Sequence, residues 1–82
     1  MEKITVNLMN VWNELFDWGF RPFLRYAGEI EITIYNSSDE LNFFAATNNF
    51  NRTYEGMDKE FGERYYLVNG VRLIVNDPAI MD

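Results

Sequence analysis

The sequence predicts an α+β fold: an antiparallel sheet of about four strands (29–35, 40–47, 64–68 and 71–76) with one N-terminal helix (8–18) packed on it. Three stretches carry that prediction. Arg64–Asp77 reads RYYLVNGVRLIVND, two apolar runs on either side of Asn69-Gly70. Asn-Gly between such runs is the strongest short-range signal for a β-hairpin, because both turn residues must take positive φ. Glu29–Tyr35 reads EIEITIY and alternates strictly, with Ile30, Ile32 and Ile34 on one face. Residues 8–18 instead repeat their apolar side chains at helical spacing.

Taken in order, the chain opens on KITV at 3–6, which alternates as a short strand would and also continues the helical pattern. Ile4, Leu8, Val11, Trp12, Leu15, Phe16 and Trp18 fill one arc of a helical wheel, with Asn7, Asn10, Asn13, Glu14 and Asp17 opposite. Val6 alone breaks this division, and starting the helix with Asn7 as N-cap removes the exception. Trp12, Leu15 and Phe16 are then expected in the core. Gly19 supplies the stop and Pro22 follows. Residues 20–26 read as irregular or as an edge strand, since Pro22 cannot donate to a ladder. A three-residue loop at Tyr26-Ala27-Gly28 would set Leu24 opposite Ile30 and Arg25 opposite Glu29. The segment 40–47 admits two readings. Ser37-Ser38-Asp39-Glu40 matches a helix capping box, while Leu41, Phe43 and Ala45 alternate as in a strand. The strand is preferred, because the isoleucine strand needs a partner and its neighbour in sequence usually supplies one. Asn36–Asp39 then forms the hairpin loop. Residues 48–62 are polar and without period, and read as a long loop with one helical turn at Met57–Phe61.

The two-residue turn at Asn69-Gly70 dictates the register of the last hairpin. Val68, Tyr66 and Arg64 face Val71, Leu73 and Val75 on a side that reads as core. Leu67, Tyr65 and Glu63 face Arg72, Ile74 and Asn76 on the other. That second side is half apolar, and it needs cover from the chain itself or from a partner.

The 82 residues suffice for a single domain, 1–82. A domain of this size buries only about 60–65% of its unfolded surface, so an aromatic content of 17% is needed to build an efficient core. With neither cysteine nor histidine, thiolate metal sites, disulfides and the usual general base are absent from the repertoire. The net charge of −6 opposes binding to phosphate backbones and anionic membranes. No apolar run approaches the roughly 20 residues of a membrane span, and no signal peptide is evident, so cytoplasmic residence is expected and the sequons at Asn36 and Asn51 read as chance. The charge is uneven: residues 29–63 hold eight acids against Arg52 and Lys59.

No arrangement of residues supports catalysis. An EF-hand reading with Gly56 at the sixth position puts Gly62 where a bidentate Glu is required. Glu29 and Glu31 share a strand face and could pair, but outward acids on a strand ordinarily serve solubility. Neither a catalytic site, nor a metal site, nor a cofactor is expected, and the chain is not expected to be an enzyme. Tyr35, Phe50, Tyr54 and Tyr65 could stack on a single strand of nucleic acid, but stacking platforms lie in positive grooves.

What remains is binding. A compact acidic protein can occupy the basic surface of a nucleic-acid-processing protein, placing carboxylates where phosphates would lie. Glu29, Glu31, Asp39, Glu40, Tyr54, Glu55, Asp58, Glu60 and Glu63 are the candidate partner-binding residues. Short, acidic, single-domain and without catalytic residues, the chain resembles in composition the small inhibitors carried by phages and mobile elements, anti-CRISPR proteins among them. The resemblance implies a protein-binding inhibitor or modulator. The alternatives are a structural or self-assembling subunit, such as a homodimer, using Tyr65, Leu67, Arg72 and Ile74 as interface, and a single-stranded nucleic-acid binder.

Overall fold

The computed structural model describes residues 6–81. The α+β class holds, but the sheet has five strands, is mixed rather than antiparallel, and carries two helices. The elements are α1 (Val6–Asp17), β1 (Phe23–Leu24), β2 (Ile30–Thr33), α2 (Ser37–Thr47), β3 (Arg52–Asp58), β4 (Glu63–Val68) and β5 (Val71–Asn76), with 3-10 turns at Tyr26–Gly28 and Pro78–Ile80. The strand order is β1-β2-β5-β4-β3.

The β4–β5 hairpin adopts the expected register, from Val68↔Val71 through to Glu63↔Asn76. Asn69 and Gly70 take φ of 54° and 80° in its turn. Leu24 pairs with Ile30, and the Arg25 N–H donates to the Glu29 carbonyl at 2.6 Å, as the Tyr26-Ala27-Gly28 loop requires. That loop holds Ala27 at φ 69°, where Cβ crowds the following carbonyl oxygen. Ala27→Gly should therefore raise stability by about 0.5–1 kcal/mol, the strain relieved less the entropy of a freer unfolded chain, as urea unfolding would show.

Helix α1 begins at Val6, so Asn7 lies within it rather than capping it. The rest of the strand considered at 3–6 lies outside the described residues. The helix ends as Gly19 demands: the Gly19 N–H bonds the Phe16 carbonyl and the Phe20 N–H reaches back to that of Leu15, a Schellman arrangement. Only Leu8, Val11 and Leu15 are buried, with Trp12 packed partly against the core. Phe16 is corrected from core to surface, at 61% exposure. It stands about 100° round the helix from Leu15, outside the stripe that faces β5 and α2.

Three further corrections concern the middle of the chain. Residues 40–47 belong to helix α2 and not to a strand. Asn36 caps it, its Oδ1 accepting from the Asp39 N–H at 2.9 Å, while Asp39 accepts from the Tyr35 N–H at 2.9 Å. Satisfying backbone donors from both sides makes 36–39 a helix start rather than a hairpin loop. Phe43, Ala46 and Thr47 are buried at helical spacing, whereas Leu41, required inward by the strand reading, is 71% exposed. The isoleucine strand β2 finds its partner in β5, running parallel to it, with Ile30 beside Leu73 and Ile32 beside Val75. Residues 52–58, read as loop, form β3 against β4, and Met57 lies in that strand rather than in a helical turn. A bulge between Tyr54 and Gly56 shifts the register by one residue, which erases the alternation that would reveal a strand.

Both helices lie on one face of the sheet. Leu8, Val11 and Leu15 of α1 and Phe43 and Ala46 of α2 join Ile30, Ile32, Tyr66, Val68, Leu73 and Val75 in one cluster. Phe43 meets Tyr66 edge-on at 5.0 Å between ring centres, a favoured geometry for buried aromatic pairs.

Candidate functional site

Most of the acids singled out in the sequence have partners within the chain. On the helix side, Arg64 is the one charged residue in the apolar register of the hairpin. Its guanidinium forks onto Glu40 of α2 at 2.6 and 3.0 Å, lies 3.4 Å from Asp77 and donates to the Tyr66 hydroxyl at 2.9 Å. Burial works against the cation, but the Glu40 hydrogen bond and the charges around it more than offset that, and its pKa is held above the ordinary value. A cleft of about 440 Å³ opens beside this cluster between the start of α2 and Asp77-Pro78-Ala79. Both carboxylates on its wall, Glu40 and Asp77, are engaged by Arg64.

On the other face of the sheet the chain supplies its own cover. Arg25 lies 3.5 Å from Glu31 on β2 and 3.6 Å from Glu63 on β4. Because β5 runs between those strands, the arginine crosses it as a strap. Asn76 donates to Glu31, Arg72 pairs with Glu29 at 3.7 Å, and its guanidinium sits 5.5 Å from the Tyr65 ring. Ile74 is thus only 4% exposed despite facing away from the helices. Of the four hairpin residues considered as an interface, Tyr65, Arg72 and Ile74 take part in this lattice or lie within it. Leu67 is exposed at its margin.

Tyr65 donates to Glu63 at 2.7 Å, and its pKa is pushed up to about 12, by that hydrogen bond first and by burial and the charge of Glu63 after it. A raised phenol pKa means that the folded state favours the neutral form. The stabilisation is whole below the ordinary value of 10.0 and is lost as pH climbs towards about 12. Tyrosinate absorbance should show Glu63→Gln titrating Tyr65 closer to its ordinary value.

Glu29, Glu31, Glu40 and Glu63 are therefore ion-paired, and Asp39 is occupied at the start of α2. The remaining four candidates, Tyr54, Glu55, Asp58 and Glu60, gather on β3 and the turn after it. Among the described residues no hydrogen bond or ion pair engages the carboxylates of Glu55 or Glu60. Asp58 accepts from the backbone N–H groups of Glu60 and Phe61 at 3.0 and 3.4 Å, which shapes the turn. It also lies directly opposite Glu63 in the ladder, an unfavourable like-charge pair. Beside these acids stand exposed apolar side chains, Tyr54, Met57 and Phe61.

Sequence reasoning passed over Met57 and Phe61. The signal for them is Asp58 followed by Gly62, an Asx-type turn joining two strands, which places both residues at the same sheet edge. The stacking aromatics are not gathered in this way. Tyr35 follows β2, Tyr54 lies on β3 with β4 and β5 between, Phe50 packs against the core and Tyr65 is tied to Glu63. Among the described residues no helix is long and apolar enough to cross a membrane, and no group of three acids is disposed to hold a metal ion. Comparison with protein-family models, with curated proteins and with solved structures finds no match for this chain.

Proposed function

We propose that the protein is a small acidic binding module that docks on the basic surface of a nucleic-acid-processing protein and obstructs it, as an inhibitor or modulator. The observation that carries this reading is the segregation of its carboxylates. Arginines neutralise the acids on the body of the sheet, while among the described residues no ion pair engages Glu55, Asp58 or Glu60, at an edge that also exposes Tyr54, Met57 and Phe61. Aromatic side chains with a charged rim are the usual makings of a protein contact. Unneutralised carboxylates at the edge steer a basic partner and repel nucleic acid.

The test immobilises the whole chain beside the variant Glu55→Lys/Asp58→Asn/Glu60→Lys and compares the proteins each retains from its host's extract. The expected result is retention of basic nucleic-acid-binding proteins by the native chain, released by added duplex DNA and by salt, and a loss of affinity of about tenfold or more in the variant. Retention that is indifferent to the charge reversal would overturn the reading. Asp58→Asn alone keeps the acceptor of the turn while removing the repulsion with Glu63. It should stabilise the fold by about 0.2–1 kcal/mol and yet weaken binding, a separation that thermal unfolding and titration calorimetry would show together.

A further inference from the structure

We propose that the free edge of β3 accepts an extended, lysine- or arginine-rich segment of the partner as a sixth strand of the sheet. The inference rests on the reading of this edge as the docking surface, and adds how the partner is held. Three observations meet here.

The first is the open ladder. β3 is the last strand of the sheet, and among the described residues nothing pairs with its outer side. The Asn69 N–H donates to the Asn51 carbonyl at 2.7 Å. Hydrogen bonds alternate along an antiparallel pair, so the backbone groups of Thr53 turn towards β4 and those of Arg52 and Tyr54 turn outward. Such a row of unpaired donors and acceptors is a template for an added strand.

The second is a step in the helix layer. Helix α2 covers β4, with Phe43 on Tyr66 and Glu40 on Arg64. Tyr54 and Met57, the neighbours of Tyr66 and Arg64 in the β3–β4 ladder, remain 51% and 46% exposed. A strand added at the edge would widen the floor beneath them and bury apolar surface that the chain leaves in water.

The third is charge, which selects the occupant. A second copy of β3 paired antiparallel about its centre would bring Glu55 against Glu55, in chains that each carry −6. Its bulge would also have to match the one opposite. Phosphate backbones are repelled by the same acids. An extended cationic segment meets none of these obstacles: its side chains alternate across the sheet, and those on the face away from the helices lie on the side of Asp58, which stands opposite Glu63.

The experiment uses the full chain and a fluorescein-labelled peptide alternating Lys and Val, with a second peptide of the same sequence N-methylated at every residue. Methylation removes the backbone donors of both peptide edges and leaves the charge and the side chains unchanged. Fluorescence anisotropy at low ionic strength should show binding of the first peptide and at least about tenfold weaker binding of the second. The backbone N–H signals of Arg52 and Tyr54 should shift in NMR spectra as the first peptide is added. Equal, salt-sensitive binding of both peptides would overturn strand addition while leaving the acidic docking edge intact. Methylation-sensitive binding that survives Glu55→Lys/Glu60→Lys would keep strand addition and overturn the role of the acids. Failure of both peptides to bind would overturn both.

Discussion

Phe43→Ala is expected to remove about 3–5 kcal/mol of stability, the usual range for emptying a buried phenylalanine site. Phe43 is fully buried, and its ring touches both Phe44 and Tyr66 at 5.0 Å between centres. It is where α2 rests on β4, so little can collapse into the space. A domain of 82 residues has in all about 4–12 kcal/mol of stability. The variant should therefore lose a large share of its stability, seen as a marked fall in the urea midpoint. Leu41→Ala, on the exposed side of the same helix, should move the midpoint little. The contrast distinguishes a helix at 37–47 from a strand in which Leu41 and Phe43 would share a face.

Glu40→Leu is the second large effect. It leaves the Arg64 guanidinium, with its side chain 10% exposed, facing only Asp77 at 3.4 Å and the Tyr66 hydroxyl. Removing one partner of a buried ion pair typically costs 3–5 kcal/mol. About 3 kcal/mol is expected here, because the Glu40 carboxylate keeps some contact with water. The double variant Glu40→Leu/Arg64→Leu should recover much of that loss. It removes the stranded charge together with the Arg64 Nε, which is buried without a hydrogen-bond partner. Urea unfolding of both variants gives the coupling energy directly. Loss from the single variant and recovery in the double one would assign the cluster to structural specificity.

These two sites also mark the limit of what could be read along the chain. The Asn69-Gly70 hairpin and its whole register were legible, since a two-residue turn leaves no freedom in pairing. So were the buried face of the isoleucines and the Leu24–Ile30 pairing across Tyr26-Ala27-Gly28. Each depends on neighbours within a few residues. The partner of β2 was not legible, because it lies some 40 positions on in β5 and parallel pairing leaves no turn in the sequence. Once β5 fills that place, 37–47 need not be a strand, and the capping residues Asn36 and Asp39 prevail. β3 was hidden for a different reason. An edge strand with a bulge has neither an unbroken alternation nor a fully buried face.

The candidate site divides in the same way. Nine residues were drawn from composition and position, and four of them come together on β3 and its turn. The sequence by itself determined the acidity of 29–63, the lack of histidine and cysteine, and the hairpin on which the sheet is built. These are properties of composition and of contacts a few residues apart. Only the tertiary structure decided which carboxylates stay free, because an acid is neutralised by whatever arginine the fold brings beside it. Arg25, Arg64 and Arg72 reach Glu31, Glu63, Glu40 and Glu29 across strands and between layers. At the outer side of β3 the sheet ends, and among the described residues no ion pair reaches Glu55 or Glu60.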